Sequence, residues 1–358
     1  YSVASVFGSY ISTDLLYVNR WNTETYKIDL YRSFLTSTIN WAGAAHFEKT
    51  KTEQDVILKD TTLEEVSFEY QYHDLWLGRS FEITDHYGRV HQKINFFIAS
   101  RILYNYFSKA PETREDYLSR FHNKTLWLFS MGLSRQGFYR SNFIYGFGRA
   151  EDVPFGFLVK LTGGWERGQY SDRPYMALSA SGAMNIKGFG YAQSVLEFGS
   201  FYRKQQVEQG VTHFVTKYYT DLFKIKRFAF RQFVTFDYTL GINRYEDEYT
   251  TLENRGGING LKSRYLRGDE KVALKLESVL FTPYKLIGFR LALFASVDMG
   301  IIKEPCKLGL TPSASTTVML ALSDALALVL MEMQGFTSKE FGLRHHGGYL
   351  GRISNSAV

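Results

Sequence analysis

Residues 271–301 read KVALKLESVLFTPYKLIGFRLALFASVDMGI, and the spacing of their apolar side chains decides the fold class. In the first half, apolar and charged residues occupy alternate positions: Val272, Leu274, Leu276 and Leu280 against Lys271, Lys275 and Glu277. The second half repeats the pattern: Ile287, Phe289, Leu291, Leu293, Val297, Met299 and Ile301 against Gly288, Arg290, Ser296, Asp298 and Gly300. Successive side chains of a strand point to opposite faces of its sheet. The pattern therefore predicts two strands, each with one apolar and one polar face.

The preceding segment, residues 254–269, reads NRGGINGLKSRYLRGD and is a glycine-rich basic loop. Its paired glycines do not follow a strand and open a helix, which is the context that a phosphate-binding loop requires. We therefore expect a surface or lumen loop between strands.

Composition extends the strand prediction to most of the chain. Aromatic residues make up 16% of it, with 25 Tyr and 29 Phe, whereas Pro occurs only 6 times. No run approaches the roughly 18–20 apolar residues that a spanning helix needs, so a membrane protein of this composition has to be a closed β-barrel. The alternative is a soluble sandwich or an antiparallel sheet enzyme. Strands of about 10–16 residues with charges on one face favour the barrel.

Charge and cysteine content restrict the remaining classes. The formal net charge of +6 suits a lumen lined by both signs, and no nucleic-acid motif accompanies it, so no nucleic-acid partner is expected. The single cysteine, Cys306, excludes an internal disulfide. The chain begins at Tyr1 without an initiator Met or signal peptide, which indicates a mature chain or a fragment.

Alternation along the chain predicts roughly a dozen strands before residue 254 and two after it, with uncertain boundaries. The clearest of these spans residues 227–243, and residues 174–186 and 190–202 are expected to pair across Lys187-Gly188. Residues 13–24 are predicted to be a polar link, and residues 125–148 a hairpin turning at Arg135-Gln136-Gly137. Residues 93–107 fit a helix about as well as a strand. The predicted fold is an all-β transmembrane antiparallel barrel of about 14–16 strands.

The composition changes at about residue 302. Only Phe336, Phe341 and Tyr349 are aromatic in residues 302–358, and residues 318–331 are almost continuously apolar without alternation. We therefore expect two parts, a barrel over residues 1–301 and an atypical tail over 302–358, in which closing strands are not recognisable. A divergent or frame-shifted end is one explanation.

The central stretch resembles the BamA/TamA-type surface-antigen barrels of bacterial outer membranes, and its closest resemblance is to Bacteroidetes-like members. The resemblance is carried by residues 256–261 (GGINGL), an Arg-Gly pair, a strand with an inward Glu, a strand ending at residues 297–300 (VDMG), and residues 151–156 (EDVPFG). Motif order fits from about residue 130 to 301, and the first 130 residues match only in style. It implies a sixteen-stranded barrel that inserts or exports other proteins, usually preceded by periplasmic POTRA domains.

The resemblance also implies a site. In the family a long extracellular loop folds into the lumen, and its Arg-Gly-aromatic motif contacts acidic residues on the next two strands. The carboxylates carried over are Glu277 and Asp298, which the alternation independently places on the polar face. The family's Arg-Gly position holds Lys262-Ser263 here, so Arg267-Gly268, Lys262 or Arg264 is the basic partner, and Arg267 is preferred. An arginine in a low-dielectric lumen needs carboxylates, which it can bind bidentately.

Catalytic and metal-binding alternatives find little support. There is no Gly-x-Ser-x-Gly motif, Asp85-His86 is expected in a surface turn, and His345-His346 are adjacent rather than arranged for a metal. We expect no enzyme activity, no cofactor and no metal. The predicted protein is an assembly or translocation factor whose partners are outer-membrane lipid, lipopolysaccharide and unfolded outer-membrane protein clients. The alternatives are a passive channel or transport barrel, and the membrane domain of a larger protein with an N-terminal hydrolase.

Overall fold

The computed structural model describes residues 2–3, 6–33, 40–57, 63–83, 94–110, 121–144, 146–245, 248–263, 266–286 and 288–303. Its regular elements are almost entirely strands, joined by two short 3-10 turns at Val6–Gly8 and Asn254–Gly256. The strands are β1 (Ser2–Val3), β2 (Ser12–Arg20), β3 (Thr23–Arg32), β4 (Trp41–Ile57), β5 (Leu63–Ile83), β6 (Ile94–Lys109), β7 (Lys124–Asn142), β8 (Ala150–Gly168), β9 (Asp172–Ile186), β10 (Gly190–Arg203), β11 (Gln206–Thr220), β12 (Phe223–Ile225), β13 (Phe228–Ile242), β14 (Thr250–Thr251), β15 (Arg267–Gly268), β16 (Glu270–Leu286) and β17 (Phe289–Lys303). The predicted all-β antiparallel fold is confirmed. Within the described residues, no helix has the length and apolar character needed to cross a bilayer.

One antiparallel sheet contains nearly all of these strands, in the order β1 to β11, β13, β16 and β17, with β12 paired to β13. Each strand pairs with its neighbours in the sequence, which is an up-and-down meander. Within the described part of the chain, β17 has β16 on one side and no strand on the other, so the sheet is open at this edge.

Alternation gives the sheet one apolar and one polar face. Exposed apolar residues recur at every second position, for example Trp127, Phe129, Met131 and Leu133 on β7, and Leu291, Leu293, Val297, Met299 and Ile301 on β17. Cross-strand partners share a face, and they continue this apolar surface: Leu75 lies opposite Ile102, which lies opposite Trp127, which lies opposite Trp165. The predicted faces of β16 and β17 are confirmed for their described residues.

The polar face is concave. Arg231 on β13 donates from Nη2 to the carbonyl oxygen of Asn142, the last residue of β7, at 3.1 Å. Five interstrand spacings of about 4.8 Å separate these strands along the sheet, which is farther than an arginine side chain can reach across a flat surface. The sheet must therefore curl so that the polar faces of β7 and β13 approach each other. The concave side is called the lumen below.

Three small apolar clusters lie in the lumen. Their buried members are Val66, Phe68 and Phe121 in the first, Leu252, Ala273 and Ile302 in the second, and Ile144, Val153 and Tyr191 in the third. Most buried apolar side chains thus belong to separate patches where a loop meets the wall, rather than to one continuous core.

Three local predictions needed correction or were left open. The predicted link over residues 13–24 is wrong, because Ser12–Arg20 is a strand that turns at Trp21-Asn22 into β3. The predicted turn at Arg135-Gln136-Gly137 is also wrong, because β7 runs through it and pairs with β8 without a break. The helix-or-strand segment is β6, a strand. Of the tail at 302–358, residues 304–358 lie outside the described ranges.

Candidate functional site

Residues 250–263 and 266–268 fold back onto the lumen face of β16 and β17, and we call this segment the lid loop. Its two ends pair as β14 and β15, with Thr251 opposite Arg267. Leu252 is completely buried and packs with Ala273 and Ile302 of the wall. A Cβ on Gly300 would stand 2.6 Å from Leu252 Cδ2, so the glycine of β17 makes room for this side chain.

Hydrogen bonds from the wall hold the central part of the lid loop. Lys271 Nζ donates to the carbonyl oxygen of Gly256 at 2.7 Å, and Lys275 Nζ donates to that of Asn254 at 3.0 Å. Lys275 also reaches Asn259 Oδ1 at 3.0 Å. The cations therefore belong to the wall, and the acceptors are carbonyl groups of the loop.

Asp298 completes this contact. Its Oδ2 accepts the backbone N–H of Asn259 at 2.8 Å, and Lys275 is its cross-strand partner on β16. A loop contact at Asp298 is thus present, but its donor is a backbone amide rather than the expected arginine. Hydrogen bonds to an ionised acceptor are stronger than neutral ones, so Asp298 fixes the position of Asn259.

The other predicted site residues are placed differently. The guanidinium of Arg267 lies 5.1 Å from the ring centroid of Tyr249, and Gly268 is buried in the short β14–β15 ladder. Glu277 and Lys262 are exposed. Among the described residues, Arg267 and Lys262 form no ion pair with Glu277 or Asp298. The structure therefore brings Asp298 to the loop and leaves Glu277 apart from it. Arg264 lies outside the described residues.

A charged network behind the lid loop includes Lys271. Its Nζ lies 3.0 Å from Asp237 Oδ1 on β13, and the same carboxylate oxygen lies 3.5 Å from His213 Nε2 on β11. Lys271 and Asp237 are both largely buried, so each reduces the cost of burying the other. The carbonyl oxygen of Gly256 in the lid loop thus accepts from Lys271, whose charge is balanced by Asp237 of the wall.

A second network holds the root of the lid loop. Arg173 on β9 is 4% exposed and donates to Glu166 Oε1 at 2.8 Å and to Glu208 Oε2 at 2.9 Å. Its guanidinium also stacks over Phe201 at 4.1 Å. Gln209, which accepts from Arg173, donates to Glu248 just before the lid loop. Arg173 thereby connects β8, β9 and β11 to the start of the loop.

Asp269, between β15 and β16, is the titratable group at the other root. Burial raises the pKa of this carboxyl above its usual value, and the nearby Arg244 opposes that rise. Its backbone carbonyl accepts from Gly241, and its N–H donates to Lys303. Protonation of Asp269 is therefore a change of charge at the base of the lid loop.

Sequence reasoning missed Leu252, Asn259 and Arg173. The alternation placed Lys271 and Lys275 on the polar face, and that signal could have nominated both as loop ligands. No group of three or more His, Cys, Asp or Glu side chains within the described ranges is arranged to hold a metal ion.

The opposite mouth of the lumen is also partly covered. The connection between β7 and β8 crosses to β16, where the rings of Phe143 and Phe147 meet that of Phe281 at centroid distances of 5.1 and 5.3 Å. Arg290 Nη1 donates to the carbonyl oxygen of Phe147 at 3.1 Å. Chain segments therefore lie across the lumen near both ends of β16.

Comparisons with known proteins give partial likenesses. No family model matches the chain. Among solved structures, CdiB from Acinetobacter baumannii aligns with 84% of this chain and 55% of its own, at 9% identity and a TM-score of 0.37, a level that supports no conclusion. The arabinose 5-phosphate isomerase KdsD of Pseudomonas aeruginosa is 49% identical over 57 residues, and that of Escherichia coli 52% identical over 52 residues. These segments are 16% and 14% of this chain, and they cover only 18% and 16% of the two isomerases.

Proposed function

We propose that the chain forms the wall of a β-barrel in the bacterial outer membrane and acts as a BamA/TamA-type factor that assists insertion or export of other proteins. The observation that carries the membrane location is the inverted distribution of polarity. Apolar side chains cover the convex face, whereas the ion pairs of Arg101, Arg173 and Lys271 lie on the concave face. Water would penalise such a convex surface, whereas lipid would not.

Strand addition is the proposed mechanism, and no covalent step is involved. The edge of β17 offers unpaired backbone donors and acceptors within the described part of the chain. An unfolded client strand can hydrogen-bond to such an edge while its alternate side chains face lipid. Unfolded outer-membrane proteins, lipid and lipopolysaccharide are the proposed partners.

The lid loop has a bracing role in this proposal. Because it contacts both β16 and β17, it holds the wall next to the free edge and fills part of the lumen. This role differs from the one implied by the resemblance in its chemistry: wall lysines and Asp298 bind loop backbone atoms.

Charge reversal at Asp298 tests this role. Asp298→Arg should lower both the rate of client assembly in vesicles and the stability of the barrel, because it replaces an acceptor of Asn259 with a cation beside Lys275. Asp152→Arg is the matched control, since Asp152 is exposed and its contact with Arg140 is 3.8 Å long. Normal folding and full assembly activity in Asp298→Arg would count against the bracing role.

A passive channel is the second candidate, because charged residues of both signs line the lumen. Conductance of the purified chain in a planar bilayer separates the two functions. Small, transient openings that increase when Leu252 is replaced by Ala support a lid over an assembly factor. A large, steady conductance independent of the lid loop supports the channel.

We further infer that the likeness to KdsD lies in the tail, as a unit separate from the barrel. The longer alignment spans 57 residues, which is the length of 302–358 and the part of the chain where strand alternation ceases. A segment covering 18% of an isomerase is too small to support a proposal of isomerase activity. A chain ending at Lys303 should keep the circular dichroism signal of the β-sheet and the resistance of the lid loop to protease. Loss of either property would contradict a tail that is separate from the barrel.

A further inference from the structure

The lumen mouth opposite the lid loop is bordered by three neighbouring connections, which we call the basic rim: residues 187–189, residues 221–228, and residues 284–286 with 288–290. They touch one another in pairs. The N–H of Asp221 donates to the carbonyl oxygen of Phe189 at 3.3 Å, and the rings of Phe228 and Tyr284 lie 6.0 Å apart. The rim is therefore one continuous surface along β9 to β17.

The charge of the basic rim is strongly one-sided. Its basic residues are Lys187, Lys224, Lys226, Arg227, Lys285 and Arg290, and its acidic residue is Asp221. Arg290 binds the carbonyl oxygen of Phe147. The other five are exposed and form no ion pair with any described residue. At the lid end, by contrast, Arg173 and Arg203 share Glu208.

Large apolar side chains stand beside these cations. Phe189, Phe223, Ile225, Tyr284 and Phe289 are all more than half exposed, and Phe289 reaches 76%. A cluster of exposed aromatic residues on a protein surface indicates contact with a partner or a membrane.

The hairpin of β12 and β13 shows how the two features combine. Phe223 lies opposite Phe230 and Ile225 opposite Phe228, so these four side chains share one face. The two-residue turn at its tip is Lys226-Arg227, with Lys226 at φ 54°. An apolar surface that ends in two cations matches the order of acyl chains and phosphates across one leaflet of a bilayer.

We propose that the basic rim binds the headgroups of anionic phospholipids in the leaflet at this mouth. The proposal rests on the membrane location proposed above and adds the lipid class. Five unpaired cations attract a negative surface through their summed charge. The adjoining aromatic rings insert at the boundary between headgroups and acyl chains, where amphipathic and aromatic side chains are favoured.

Flotation with lipid vesicles tests the rim with the full chain. Vesicles of phosphatidylcholine alone are compared with vesicles that also contain phosphatidylglycerol. Wild type should associate with both, and about tenfold more tightly with the anionic vesicles at low salt, with the difference falling as salt rises. Adding inorganic phosphate in place of chloride at equal ionic strength should not change the preference, because the ligand is a headgroup within a bilayer.

Charge removal identifies the surface responsible. The variant Lys224→Gln/Lys226→Gln/Arg227→Gln should lose most of the anionic preference and keep its association with phosphatidylcholine. The variant Lys51→Gln/Lys109→Gln/Lys204→Gln removes the same charge at the lid end and should keep the preference. If the first variant folds poorly by circular dichroism, Lys187→Gln/Lys285→Gln tests the other two connections.

The outcomes separate the two proposals. Wild type that floats equally with both vesicles, or a lid-end variant that loses the preference as fully as the rim variant, overturns the rim and leaves the barrel standing. Wild type that floats with neither vesicle overturns the membrane location and the rim together.

Discussion

Two buried arginines mark the two ends of this sheet, and their partners differ. Arg173, near the lid loop, is 4% exposed and bonds to two carboxylates. Arg231, toward the opposite mouth, is 3% exposed and donates to the carbonyl oxygens of Thr220 and Asn142 while its guanidinium stacks on Tyr219. One cation is neutralised by charge, and the other is solvated by backbone dipoles and an aromatic ring.

The difference extends to the surroundings of each residue. At the lid end, Arg173 and Lys271 pair with carboxylates of the wall and belong to the networks that hold the loop. At the opposite mouth, the exposed cations of the rim have no acidic partner among the described residues. Charge that is satisfied internally contributes to architecture, whereas charge left unpaired beside exposed aromatic rings is suited to an external partner.

The largest effect is expected from Arg173→Met, which leaves the buried carboxylate of Glu166 without its cation and removes one of the two cations that bind Glu208. Breaking a buried pair in this way costs about 3–5 kcal/mol. Arg231→Met is the matched control. It leaves no carboxylate without a partner, and it should lower the free energy of unfolding by about 1–3 kcal/mol. Urea unfolding followed by tryptophan fluorescence measures both. Equal losses would mean that the carboxylates of the Arg173 network do not set its energy, and Glu166→Gln combined with Arg173→Met should recover part of the loss.

Leu252→Ala should have the next largest effect, because it removes the apolar side chain through which the lid loop packs against the wall. Truncation of a buried leucine costs about 2–5 kcal/mol. Here the cost lowers the free energy with which the lid loop binds the wall. Protease cleavage within residues 250–268 should accelerate. Leu291→Ala is the control, since Leu291 lies on the outer face of β17. Unchanged cleavage of Leu252→Ala would show that hydrogen bonds alone hold the lid loop.

A smaller effect separates the two acidic residues. Asp298→Asn weakens acceptance of the Asn259 N–H and should loosen the lid loop by about 1 kcal/mol. Glu277→Gln should leave the loop unchanged, because the Glu277 side chain is exposed and apart from it. Exchange of the Asn259 amide hydrogen measures the difference. A stronger effect of Glu277→Gln would restore the acidic pair implied by the resemblance.

The smallest expected effect concerns pH. Burial raises the pKa of Asp269 in the folded chain, so the folded form holds the proton more tightly than the unfolded form does. Its contribution to stability is present below the unfolded pKa and is lost as pH rises through the folded pKa. Asp269→Asn should remove this dependence and protect the lid loop better at neutral pH. A wild-type pH dependence of lid exchange that persists in Asp269→Asn would assign it to another group.

The alternation of apolar and polar residues in the sequence was sufficient to predict the fold class and the two faces of β16 and β17. This information is local, because each residue's face follows from its parity within its own strand. Parity also identified Lys271, Lys275 and Asp298 as residues of the polar face. It failed at Gly137, where a turn-forming residue lies inside a continuous strand, and at residues 13–24, where polar residues form a strand and a turn.

The partners of those polar residues were decided by tertiary structure alone. Whether Asp298 meets an arginine or a backbone amide depends on how the lid loop bends, and the bend follows from the seat that Gly300 leaves for Leu252, 48 residues earlier in the chain. Arg173 reaches Glu208 only because a hairpin returns β11 beside β10. For β16 and β17 the sequence by itself determined which side chains face the lumen, because the alternation is regular within each of these strands. The tertiary structure decided which of them touch, because that depends on the curvature of the sheet and on the path of the lid loop.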